Sequence, residues 1–391
     1  MTAPASPTQR TPGDHRVVAR VFALTDVGRT REHNEDTFLV ADLESGTPFD
    51  FADGSHDIPI DPHGVLFLVA DGMGGAASGE LASSMAGSVV LDALQGTWTA
   101  MDPSPLAFAE TLRDATALAN ARIHQYAREN PEHRGMGTTA TIAGLLDDRL
   151  FVVQVGDSRA YLVRDGHIEQ LTKDQSLMQR LVEAGELTAE EAEVSERRNI
   201  ILQALGPDAQ ITIDLTHQQV CRGDTLILCS DGLSGLVRAD EIARASNEEQ
   251  TMRAICTRLV ERANERGGHD NITVIAVRFD GEALRASRDG DRFGYTAFPL
   301  AGTLNDDVRE SVPASRPTLR SDPTPAFGTP VPSRAMLQEA VGRAPAPDDR
   351  ARLGAPEPVI EERRRAVQPV FMLLGLIALL AVAWFVFDLV N

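Results

Sequence analysis

Alternating apolar and polar positions mark a strand at 16–25 (RVVARVFALT), and short apolar runs mark two more at 37–41 and 65–70. Between the last two, the Gly/Pro/Asp-rich stretch 45–64 lacks periodicity and reads as a loop. Helical spacing follows at 78–94 and 105–130, where Leu106, Ala109, Leu112, Ala119 and Ile123 share one face. Further strands are expected at 138–145, 150–155, 160–163, 225–229 and 271–279, and helices at 174–184, 188–194 and 247–265. Short strands joined by tight turns and interrupted by helix pairs predict an α+β domain of mostly antiparallel sheet over residues 16–280.

The pattern changes at both ends. Residues 1–15 hold no apolar run of the kind a signal peptide carries and are expected to be a disordered tail. From 281 to 366 periodicity is lost and eleven of the 22 prolines appear, which predicts an extended, disordered cytoplasmic linker. The 18 residues 370–387 then carry no polar side chain. As a helix they would span about 27 Å, near the hydrocarbon thickness of a bilayer, so one transmembrane helix is expected over 367–390. Arg363, Arg364 and Arg365 precede this span and only Asp388 follows it as a charge. The positive-inside rule then places the body in the cytoplasm, on a single-pass anchor in the cell membrane.

Composition narrows the function classes. The chain has 57 Asp plus Glu against 37 Lys plus Arg, a net charge of −20, which opposes a nucleic-acid footprint. Cys221, Cys229 and Cys256 form no CxxC pair and no even disulfide set, which favours a reducing compartment and opposes a thiolate metal site. The acidic residues, in contrast, fall at strand ends. Asp71 closes VLFLVA and Asp231 closes TLILCS, each followed by Gly, while Asp157 follows FVVQVG, Asp270 precedes the last strand, and Glu35 and Asp36 follow RTREHN. Any one of these could be a simple turn. Five such sites in one domain point to a hard divalent cation, which selects carboxylates, backbone carbonyls and water.

Six segments carry a resemblance: REHNED from Arg31 to Asp36, DGMGG from Asp71, GTTA from Gly137, VGDSRAY from Val155, SDGL from Ser230, and Asp270-Asn271. In order and spacing they resemble the PPM (PP2C-type) metal-dependent Ser/Thr protein phosphatases, the bacterial branch most, over about residues 17 to 279. The resemblance implies a PP2C-like αββα sandwich of two mostly antiparallel sheets flanked by helices. It implies two Mn²⁺ or Mg²⁺ ions bridged by Asp71, with the Gly72 carbonyl on one ion and Asp231 and Asp270 on the other. Glu35 and Asp36 would bind or orient metal-bound water, and Asp157 with Asp231 would hold a third, weaker ion. Arg31 would grip the substrate phosphate, a role suited to the bidentate guanidinium fork. Arg31, Asp36, Asp71 and Asp231 are then the expected catalytic set, and a water activated by the metal pair would hydrolyse phosphoserine and phosphothreonine. Phosphoproteins are the implied partners, among them a Ser/Thr kinase and its substrates, so that the enzyme opposes kinase signalling at the membrane.

At Met73 the chain resembles bacterial members and differs from some eukaryotic ones, which carry a His there that is a candidate general acid, and at Ala76 it departs from bacterial relatives, which often have His. His33 and His269 lie beside motif residues, and the general acid stays unassigned. Residues 172–206 resemble the family's flap. Two other readings fit the composition: a catalytically dead relative acting as a scaffold, and an adaptor recruiting partners through its Pro-rich linker. Retention of Arg31, Asp71, Asp231 and Asp270 opposes the first, and the lack of a clear PxxP set with a basic flank opposes the second.

Overall fold

A computed structural model describes residues 16–299, apart from 189–190, 193–194, 196 and 198. The expected N-terminal tail, the transmembrane span 367–390, the linker from 300 onward and most of the helix expected at 188–194 lie outside the described residues. Among the described residues no helix is long and apolar enough to cross a membrane.

Among the described residues twelve strands form two sheets in which every pairing is antiparallel. In the first sheet the order is β3 (His56–Pro59), β1 (Val18–Asp26), β12 (Ile272–Asp280), β11 (Thr225–Cys229), β8 (Arg159–Arg164), β9 (His167–Gln170). In the second it is β10 (Asp214–Gln219), β7 (Arg149–Val155), β6 (Ala140–Leu146), β4 (Val65–Met73), β2 (Asp36–Asp42), with β5 (Gly137–Thr138) paired to the end of β4. Helices α1 (Ala76–Thr97) and α2 (Pro105–Glu129) cover the second sheet, and α6 (Met252–Glu265) packs on β1 and β12 of the first.

Strand β4 shows why the sequence folds into these layers. Its first six residues, VLFLVA, are apolar at every position because both faces are buried, and period two divides them. Val65, Phe67 and Val69 point into the core between the sheets, with Val21, Val152 and Ala276. Leu66, Leu68 and Ala70 point the other way, onto Ala82, Ala86 and Val90 of α1 and Leu112 of α2. Each such fully buried Leu or Phe contributes about 1.5–3 kcal/mol. The α+β class and the two helix-flanked antiparallel sheets are those expected.

Several local expectations need correction. The loop expected at 45–64 contains β3, an edge strand whose four residues HDIP are too few and too polar to show alternation. Strands β9 and β10 are equally invisible in the sequence, because HIEQ and DLTHQQ carry one apolar residue each. The helix expected at 247–265 is α6, which starts only at Met252 because Thr251 caps it there by accepting from the Ala254 N–H at 3.2 Å, and the preceding α5 (Ala239–Glu248) is not among the expected helices. A one-turn helix, α4 (Asp231–Ser234), follows β11 directly, and α3 (Leu177–Glu183) lies within the helix expected at 174–184.

The first part of the linker expected from 281 needs correction. Residues 281–299 pack back onto the body: Leu284 is buried, Phe298 lies against the core beside Phe151, and Thr216 bridges to Ala297. Irregularly spaced single anchors hold this segment, and anchors of that kind leave no periodic signal.

Candidate active site

The acidic residues come together because the strands end at one side of the sandwich. Asp36 opens β2 and lies directly opposite Asp71 on β4. Asp157 sits in the turn between β7 and β8, Asp231 follows β11, and Asp270 precedes β12. Arg31 and Glu35 lie on the loop between β1 and β2, which Asn271 pins in place. Its Nδ2 donates to the carbonyls of Val27 (3.0 Å) and His33 (2.9 Å), and its Oδ1 accepts from the Glu35 N–H (2.8 Å). Arg31 is half-exposed and donates through Nη2 to Asp270 Oδ2 at 2.8 Å.

Gly72 has to be glycine. A Cβ there would stand 2.2 Å from the Gly79 carbonyl and 2.5 Å from the Glu35 carbonyl, so the first turn of α1 and the Glu35 loop could not both close on β4. The same closeness sets Glu35 Oε2 against Gly79, where a Cβ would meet it at 2.0 Å. Asp71 is fixed by its backbone: its N–H donates to Thr139 Oγ1, and its carbonyl accepts from the Thr139 N–H, all at 2.9 Å, as it does from Thr138 Oγ1.

The electrostatics of this end are unfavourable as they stand. Asp36 is 8% exposed, and its Oδ2 accepts from the hydroxyls of Ser230 and Thr273 at 2.7 Å each, while its Oδ1 has no partner. Asp157 Oδ1 and Asp231 Oδ1 are likewise buried without a donor, so three of the five such orphaned atoms among the described residues belong to this cluster. Burial pushes the Asp36 carboxyl up to about 7, against the two hydroxyl donors and with the charges of Asp231 and Asp270 adding to the rise. Asp71 and Asp157 are raised well above the carboxylate range, by burial first and neighbouring carboxylates second. Asp231 is raised by burial and by Asp270, and Glu35 by burial.

Buried, mutually repelling carboxylates with unfilled lone pairs require either protons or cations. Hard divalent ions fit this donor set, since they take carboxylate, backbone carbonyl and water oxygens together. Among the described residues no three His, Cys, Asp or Glu side chains form a ready chelate by themselves.

A pH dependence follows. In the metal-free folded protein these carboxyls bind protons that the unfolded chain has released above its ordinary value, 3.8 for Asp36. Their contribution is therefore fully present below that value and is lost as pH rises through about 7. In EDTA, the melting temperature is expected to fall by several degrees between pH 5 and pH 8, and Mn²⁺ is expected to restore most at pH 8. A melting temperature that rises over this range in EDTA would contradict the assignment.

Beside the carboxylates runs a groove of about 640 Å³. Arg31, Asp157, Asp231 and Asp270 line one end, with His269 beside them. Met178 and Val182 of α3 form one wall, and Leu236 forms part of the other. The segment between β9 and β10, residues 171–213, thus overhangs the groove. It includes the stretch 172–206 whose sequence resembles a flap.

All eight expected site residues lie at this end of the sandwich, and the groove brings Arg31, Asp157, Asp231 and Asp270 to its surface. Ser230, Thr273, Thr139 and Asn271 were not foreseen as supports. Thr139, Ser230 and Asn271 stand inside quoted motifs, which is the available signal, whereas Thr273 in the strand run ITVIAV offers none.

The model of the protein phosphatase 2C family matches residues 50–274. The serine/threonine phosphatase stp of Listeria monocytogenes is 35% identical over 257 residues, which cover 66% of this chain and 94% of its own. Among solved structures, the serine/threonine phosphatase PstP/Ppp of Mycobacterium tuberculosis is similar at 34% identity and a TM-score of 0.56, covering 67% of this chain and 99% of that one. The catalytic domain of PstP in complex with two manganese ions gives 34% identity and a TM-score of 0.54, covering 68% and 99%.

Proposed function

This chain belongs to the PP2C-type Ser/Thr phosphatases, and from that premise we propose that it dephosphorylates phosphoserine and phosphothreonine in proteins at a two-ion site of Mn²⁺ or Mg²⁺. The observation that carries the reading is the set of orphaned, buried oxygens on Asp36, Asp157 and Asp231, held beside Asp71 at one end of a groove. Asp71 would bridge the ions, the Gly72 carbonyl would complete one, and Asp231 and Asp270 the other, with Glu35 and Asp36 orienting their water. Asp157 with Asp231 suits a third, weaker ion. Bound there, the ions would supply positive charge for the transferring phosphoryl oxygens and acidify a water near neutrality.

The chain's own residues do the rest. Arg31, half-exposed at the groove and held by Asp270, presents its free guanidinium edge to phosphate oxygens, a pairing that fixes orientation as well as charge. Ser230 and Thr273 donate to Asp36 and hold its other oxygen toward the site. The groove accepts the polypeptide on either side of the phosphoresidue. The apolar run 370–387 and the arginines before it support a membrane-anchored enzyme whose catalytic body faces the cytoplasm. Held there, it would meet membrane-bound phosphoproteins at raised effective concentration, among them a Ser/Thr kinase and its substrates.

The test is phosphate release from a phosphothreonine peptide by the full chain in mild detergent, with EDTA, Mg²⁺ or Mn²⁺. Turnover that appears with Mn²⁺ or Mg²⁺ and vanishes in EDTA is the expected result. A folded, cation-loaded protein that releases no phosphate would leave a scaffold as the better reading.

A further inference from the structure

The overhanging segment 171–213 has two roots, and both are clasped from outside by a strap that lies beyond the end of the family match at 274. The strap is residues 293–298. Phe293 lies under the Arg164 guanidinium at 4.9 Å, and the Gly294 N–H donates to Gln218 Oε1 at 3.3 Å. The His217 N–H donates to the Thr296 carbonyl at 2.9 Å, and the Phe298 N–H donates to the Leu215 carbonyl at 2.8 Å. Between these ties stands Tyr295. Its hydroxyl donates to Asp214 Oδ1 at 3.0 Å, at the C-terminal root, and the Lys173 ammonium sits 4.6 Å from its ring centre, at the N-terminal root. Lys173 also pairs with Glu183 of α3 at 3.5 Å.

The roots are joined to the site on their inner side. Gln175 donates its N–H to the Gly156 carbonyl (2.8 Å) and accepts the Gly156 N–H on Oε1 (3.0 Å), next to Asp157. The same side chain donates to the Thr212 carbonyl at 3.1 Å, beside Asp214. One residue on, Ser176 lines the groove, followed by Met178, Gln179 and Val182. One wall of the groove therefore hangs from two roots that Tyr295 holds together.

We propose that Tyr295 is a positioning residue for peptide binding: by clasping Lys173 and Asp214 it holds the wall formed by Ser176, Met178 and Val182 at the distance a phosphopeptide needs. This rests on the phosphatase reading of the groove. A small phosphate ester reaches only Arg31 and the carboxylates, so it does not depend on the wall. The clasp thus affects how tightly a peptide is held, not the rate at which its phosphate is removed.

The sequence offers a direct probe, since Lys173 is the one lysine among 391 residues and endoproteinase Lys-C can cut the chain only there. Full-chain Tyr295→Ala should be cut about tenfold faster than the parent, the effect of losing a cation–π contact and a hydrogen bond. Tyr295→Phe keeps the ring and should fall between. In steady-state assays with Mn²⁺, Tyr295→Ala should raise KM for a phosphothreonine peptide several-fold, with kcat and p-nitrophenyl phosphate turnover unchanged. Unchanged cutting in a folded Tyr295→Ala would overturn the clasp. An equal loss of kcat on both substrates would overturn the positioning role and indicate a general structural one. If the parent turned over neither substrate, the phosphatase reading would fail, and Lys-C cutting would still decide the clasp.

Discussion

Asp231→Asn is expected to abolish nearly all Mn²⁺-dependent phosphate release while leaving the fold intact. Asp231 Oδ1 is buried without a hydrogen-bond partner, an oxygen that a cation would satisfy. A metal ion contributes several kcal/mol to stabilising developing charge, and each 1.36 kcal/mol is tenfold in rate. Loss of one ion should therefore lower kcat/KM at least about a thousandfold. The same substitution removes a charge that Asp270 and Asp71 repel, so the metal-free variant should melt higher than the metal-free parent at pH 8. Activity and stability then move in opposite directions, which separates a lost cation ligand from an unfolded protein. Retained turnover at saturating Mn²⁺ would remove Asp231 from the site.

Asp224→Ala should produce the largest loss of stability. Asp224 and Arg164 are 1% and 3% exposed, joined by two hydrogen bonds at 2.9 and 2.6 Å. Asp224 Oδ2 also accepts the Cys221 N–H, and Arg164 donates to the Gln219 carbonyl. Truncating the acid strands a buried guanidinium, at a cost of about 3–5 kcal/mol. In a body of this size that corresponds to a fall in melting temperature of roughly 10 °C. The double variant Arg164→Met/Asp224→Leu removes both charges and should recover most of the loss. Thermal melting of the three full chains in Mn²⁺ decides the matter, and a double variant no better than Asp224→Ala would show that packing, not charge, sets the cost.

Both substitutions sit at places that the sequence exposed unequally. Asp231 stands at the end of the apolar run TLILC and before a glycine, so its position at a strand end could be read directly. Asp224 stands in the turn-like stretch CRGD and Arg164 one residue past the strand expected at 160–163, and no local pattern singles out either. Their pairing spans 60 residues and arises only when β8 and β11 lie side by side. The support around the carboxylates follows the same logic. Ser230 and Thr273 meet on Asp36 across separations of 194 and 237 residues, which no local pattern records.

The sequence by itself determined the α+β class, the buried strands, most helices and every carboxylate assigned to the site. It could do so because burial on both faces writes continuous apolar runs, and because acids at strand ends stay visible against them. Tertiary structure alone decided the short polar strands β3, β9 and β10, which owe their pairing to neighbours and not to their own residues. It also placed residues 281–299 on the body, through single anchors such as Leu284, Phe293 and Phe298. Most of all it set the charge state of the site: burial and the mutual approach of Asp36, Asp71, Asp157 and Asp231 raise their affinity for protons and cations, and neither is a property of a residue read alone.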